Sequence, residues 1–125
     1  MTSPVLTKNF TTGAATEPYR LVKLTGDDQV EHAAATTDTI IGATTEIGTD
    51  GTGERQDVHV VGIAEVELGG NVSRGDHVTS DANGKAVTAS PAAGTNAQVA
   101  GIALDGGVDG DIVDILLVQT QIQGA

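Results

Sequence analysis

Apolar and polar residues alternate along this chain in short runs, broken by Gly, Asp and Asn. The longest run is Asp57–Leu68. Val58, Val60, Ala64, Val66 and Leu68 share one parity, and His59, Glu65 and Glu67 share the other. That is the signature of a half-buried antiparallel strand. Gly62 interrupts it and marks a bulge or bend. Tyr19–Leu24 and Gln29–Ala33 read as strands flanking the turn Thr25-Gly-Asp-Asp28, which makes a hairpin. His77–Ser80 and Lys85–Thr88 form a second hairpin around Asp81-Ala-Asn-Gly84, because Asn83 and Gly84 both tolerate positive φ. Asp38–Ala43, Val99–Leu104 and Ile112–Gln119 are further strands. Glu46–Gln56, Ala89–Ala97 and Asp105–Asp111 are loops. No window carries a convincing 3.6-residue period. The pattern predicts an all-β chain of roughly eight to ten short strands, folded as a small barrel or sandwich of antiparallel strands.

The two ends read differently. Residues 1–18 contain Pro4 and Pro18, are rich in Thr, and show no sustained period. They are expected as an N-terminal arm, residues 19–119 as the β domain, and 120–125 as a polar C-terminal tail. Val5, Leu6 and Phe10 are the arm's apolar points. A Thr- and Val-rich segment favours the extended state and can add itself to an exposed sheet edge. Phe10 and Tyr19 are the only aromatic residues in the chain.

A repeat runs through the strands. Ile40-Ile-Gly-Ala, Val60-Val-Gly-Ile-Ala and Val99-Ala-Gly-Ile-Ala each place a β-branched residue two before a Gly. The first and third are followed by a Gly/Asp loop and an apolar strand. Gly at such a position fits the close approach of another backbone.

Composition limits the partners. Seventeen acidic and six basic residues give a net charge of −11, which repels nucleic acid and anionic membranes. The longest apolar run is Ile115–Val118, too short to span a bilayer. The N-terminal residues lack the apolar stretch of a signal peptide. The absence of Cys excludes disulfides and thiol chemistry. Apolar residues are mostly small or β-branched, so a lone monomer has a thin core and gains from oligomerisation or docking. The acidic bias also fits a host that lives in high salt.

Little in the sequence carries chemistry. His32, His59 and His77 belong to no catalytic or metal-binding spacing, and each is expected at a solvated surface position. Asp50–Glu54 and Asp105–Asp111 have calcium-like composition, but lack EF-hand spacing and suit ordinary turns. Arg74-Gly-Asp76 is read as the turn into the His77 strand. No enzyme, metal site or cofactor is expected.

The order of these pieces resembles a family. Tyr19-Arg-Leu-Val-Lys-Leu, Ile40-Ile-Gly-Ala, Val60-Val-Gly-Ile-Ala-Glu-Val, Arg74-Gly-Asp-His-Val-Thr-Ser-Asp-Ala-Asn-Gly-Lys-Ala-Val and Val99-Ala-Gly-Ile-Ala-Leu precede the closing strand Asp111-Ile-Val-Asp-Ile-Leu-Leu. Over residues 16–118 this is similar to the capsid cement, or head decoration, proteins of tailed viruses of bacteria or archaea. The resemblance implies a small β-barrel-like protein, often trimeric, on the outer surface of an assembled icosahedral capsid. It implies the major capsid protein and sister copies as partners, and no catalysis or cofactor. It also implies that the arm grips the capsid, which makes Val5, Leu6, Phe10 and Tyr19 the candidate binding residues. The alternative is a non-viral β-sandwich adhesin module whose Gly/Asp loops bind calcium.

Overall fold

The computed structural model describes residues 3–124, and among them there is no helix. Nine strands follow one another: β1 (Ser3–Thr12), β2 (Leu21–Gly26), β3 (Gln29–His32), β4 (Ile40–Thr44), β5 (Arg55–Glu67), β6 (His77–Ser80), β7 (Ala86–Thr88), β8 (Asn96–Ala103) and β9 (Ile112–Gln123). The sheet order is β1-β3-β2-β4-β5-β9-β8-β6-β7, and β1 also pairs with β5. Strands β1, β3, β2, β4 and β5 therefore close a small five-stranded barrel, and the all-β barrel expectation holds.

The remaining strands repeat that barrel. β5 is also the first strand of a second ring, β5-β9-β8-β6-β7. A parallel bridge from Leu68 to Ala86 closes this ring, just as Thr12 pairs in parallel with Val30 in the first. The antiparallel bridge Thr16–Thr49 has its counterpart in Val72–Gly107. Phe10 pairs with Gln56 as Val66 pairs with Val113. The interiors also correspond. Phe10, Val22, Val30 and Val58 form the first core cluster, and Val66, Val78, Ala86 and Ile115 take the matching positions in the larger one. A chain short of large side chains thus fills two narrow barrels that share one strand.

Two of the three Gly-centred repeats belong to this duplication. A Cβ on Gly42 would collide with the carbonyl oxygen of His59, and one on Gly101 with that of Leu116. Gly62 plays another part. Its φ is +106°, and β5 turns there from β4, paired at Val58 and His59, to β9, paired from Gly62 onward. Register shifts on β1 opposite Val61 and Gly62 mark the same bend.

The ends join the sheet. The expected arm contributes β1, antiparallel to β5 from Ser3–Ile63 to Thr11–Arg55. Met1 and Thr2 lie outside the described residues, as does Ala125. In the expected tail, Thr120–Gln123 extend β9 against Asn96–Val99 of β8. The alternating polar pattern of these segments suits a strand whether its partner is in this chain or another, so sequence did not distinguish the two.

Charged groups tie the two units together. The buried Arg20 guanidinium lies 2.9 Å from Glu17 and 3.4 Å from Glu67, and donates to the Asn83 carbonyl at 3.0 Å. Lys85 reaches Glu67 at 3.2 Å, which raises the lysine pKa. The Asn83-Gly84 turn, with Gly84 at φ +76°, accepts the Leu21 N–H at 2.7 Å. One hairpin turn of the second unit is thereby fixed to β2 of the first.

Candidate docking surface

The shared strand also carries apolar side chains on its outer face. On β5, Ala64 and Val66 face inward and are fully buried, so Val61 and Ile63 face outward. Leu6 pairs with Val61. Ile63 pairs with Leu116, and Leu116 pairs on its other side with Ile102. Val61 is 45% exposed, Leu6 52%, and Leu116 and Val118 somewhat less. These side chains form a band across β1, β5, β9 and β8. An exposed apolar band on a chain of charge −11 is a surface suited to burial against a partner.

The four candidate residues separate on this frame. Val5 is 80% exposed and has no partner on β5. Together with Leu6 it extends the band to the sheet edge. Phe10 is buried inside the first barrel, with the Lys8 ammonium 4.5 Å from its ring centre. Tyr19 is half-buried in the turn before β2, at φ +60°. Phe10 and Tyr19 hold β1 and the β2 turn in place, while Val5 and Leu6 face outward. Val61, Ile63, Leu116 and Val118 were missed as surface candidates. Val61 and Ile63 stand on the outward parity with Glu65 and Glu67, but the pattern did not show that Leu6 and Leu116 lie beside them.

The histidines also separate. His59 was expected on a solvated face. It is buried because β1 covers it, and Thr7 Oγ1 lies 2.8 Å from its Nδ1. His32 is half-buried, and its Nε2 accepts the Glu17 N–H at 2.9 Å. Burial, helped by the Arg20 charge, lowers its pKa from 6.5. His77 is exposed at the start of β6.

The Gly/Asp loops use their carboxylates on their own backbone. Asp111 accepts the Val108 N–H at 2.9 Å, and Asp76 accepts the Ser73 N–H at 2.9 Å. Glu54 accepts the Asp50 N–H at 2.9 Å. Gly75 and Gly110 sit in these turns at φ +91°. This is turn chemistry, and Glu54 and Asp111 close equivalent turns of the duplicated unit.

Comparisons with known proteins come down to the fold. No family model matches the chain, and no curated protein matches it. Among solved structures, it is similar to the head fibre gp8.5 N base of bacteriophage phi29. The TM-score is 0.69 at 20% identity, over 94% of this chain and 98% of that one. The chain therefore shares its fold, over nearly its whole length, with the base of a phage head fibre.

Proposed function

We propose that this chain is a structural virion protein of a tailed virus. It binds the outer surface of an assembled icosahedral capsid and stabilises it, with the major capsid protein and sister copies as its partners. The observation that carries this reading is the apolar band across β1, β5, β9 and β8 on an otherwise acidic protein. The fold shared with a phage head fibre base supports it. So does the resemblance of the strand motifs to capsid cement proteins.

The physics follows from the band. A protein that binds only the assembled lattice stabilises it by mass action. Copies joined in a homo-oligomer, a trimer on the family pattern, add avidity without a tight single site. The acidic residues around and beyond the band keep the particle soluble and off nucleic acid. Val5 and Leu6 touch capsid subunits, while Phe10 and Tyr19 set the strand that presents them. No catalytic step is needed.

Co-sedimentation tests the reading. The protein is expected to pellet with expanded heads of the encoding virus and to ignore free capsid subunits. Val61→Thr with Leu116→Thr, which adds no charge and keeps strand-favouring side chains, should sharply weaken the pelleting while the variant still melts as a folded protein. Equal binding to free subunits, or unaltered binding by the double variant, would count against it.

A further inference from the structure

We propose that the outer edge of β1 receives an added β-strand, an extended arm of a capsid subunit lying antiparallel along Ser3–Thr7. Backbone directions define the edge. Thr12 donates its N–H to Glu54 O, beside β5, at 2.8 Å, and Thr11 donates to Asp28 O, beside β3, at 2.8 Å. N–H and C=O groups alternate sides along a strand, so Thr7 and Asn9 point the way Thr11 does, away from β5. Lys8 Nζ lies 3.3 Å from the Asn9 carbonyl, as that direction requires. β3 reaches only Thr11 and Thr12. Among the described residues no strand pairs with this side of Ser3–Phe10.

The duplication shows what such an edge takes. In the second unit the strand equivalent to β1 is β5. Its matching edge is covered by β1 itself, through Thr7–His59, Leu6–Val61 and Ser3–Ile63. Thr7 corresponds to Ile63. The same edge is thus covered in one unit and uncovered in the other. In the repeated geometry the covering strand offers the edge that β1 uses on β5. A second folded copy has that edge occupied by its own β5, whereas an extended peptide has it free. The uncovered edge is also continuous with the apolar band through Val5 and Leu6. The identity of the arm as a capsid segment rests on the proposed docking.

Amide hydrogen exchange on the whole protein tests this, read at Thr7 and Asn9. Samples are the free protein, the protein with free capsid subunits, and the protein bound to expanded heads. In the free protein these two amides should exchange fast while Lys8 and Phe10, turned toward β5, are protected. On heads, Thr7 and Asn9 should slow by at least about tenfold. Co-sedimentation with unchanged exchange there would overturn the edge while leaving the docking intact. Failure to co-sediment would remove the docking and this inference with it. Concentration-dependent protection in the free protein would make the occupant a second copy and overturn the capsid arm. Thr7→Pro removes only the outward N–H of the backbone, and prolines are tolerated on such edges. Thr7→Val controls for the lost hydroxyl. At equal melting temperatures, Thr7→Pro should bind heads about tenfold more weakly than Thr7→Val, and equal binding contradicts the proposal.

Discussion

Gly42 and Gly101 occupy the same position in two successive barrels, each beneath the carbonyl oxygen of a paired strand, that of His59 or of Leu116. No side chain fits there without moving backbone. Gly42→Ala and Gly101→Ala are each expected to cost at least about 1–3 kcal/mol. Gly53→Ala is a useful contrast. Its surroundings are open, but its φ is +81°, so about 1 kcal/mol of backbone strain is expected. Denaturant melts of the three variants check the ranking. A loss at Gly53 as large as at Gly42 would contradict the close approach.

The two barrels differ inside. Thr16 donates to Gln56 Oε1 at 2.6 Å, and Gln56 Nε2 donates to the Ile47 and Asp57 carbonyls at 3.0 and 2.8 Å. The matching positions in the second unit are Val72 and Val113, both buried. Gln56→Val alone removes these bonds and leaves buried groups unpaired, for an expected loss of about 1–3 kcal/mol. Adding Thr16→Val restores the apolar pair of the sister unit and should recover about 1 kcal/mol of it. Strict additivity in the double-mutant cycle would show that the two side chains do not act together.

Much of the fold was legible in the sequence, because local signals set local structure. The alternation from Asp57 to Leu68, the Asn83-Gly84 turn and the Gly repeats at 42 and 101 each report on a few residues. The partner of β1 was not legible. Its pairing with β5 spans a long stretch of chain, and an exposed Thr-rich strand reads the same on any edge. His59 was misplaced for that reason. The duplication was only glimpsed, since Phe10 faces Val66, Thr12 faces Leu68 and Gln56 faces Val113 across the repeat. Gly62 looked like a third copy, but its positive φ serves the bend of the shared strand. Of the apolar band, Val5 and Leu6 were visible. The contribution of β9 required knowing which strand lies beside β5.

Stability should depend on His32. Its folded pKa lies below 6.5. As pH falls through 6.5 toward that lowered value, the unfolded chain takes up a proton that the fold resists, so stability is lost in that window and is complete above it. Asp38 has its pKa lowered, first by the Ala34 N–H and also by Lys23. Its contribution is lost only at lower pH, around and below 3.8. His32→Gln keeps an acceptor for the Glu17 N–H. Between pH 7 and 5 the parent protein should lose about 2–5 °C of melting temperature relative to this variant. Parallel profiles would exclude His32 as the group responsible.

Salt should also stabilise the molecule. With seventeen carboxylates against six cations, self-repulsion opposes the compact state, and screening relieves it. Melting temperature is expected to rise with KCl well into the molar range. A maximum at low salt would contradict both the repulsion and a high-salt host.

The most direct test of the account is a density map of the virus head carrying this chain. The account predicts the chain on the outer surface, with the β1–β5–β9 face against capsid subunits and Val5, Leu6, Val61 and Leu116 covered. A map that shows this face open to solvent, with the acidic turns against the shell instead, would contradict it.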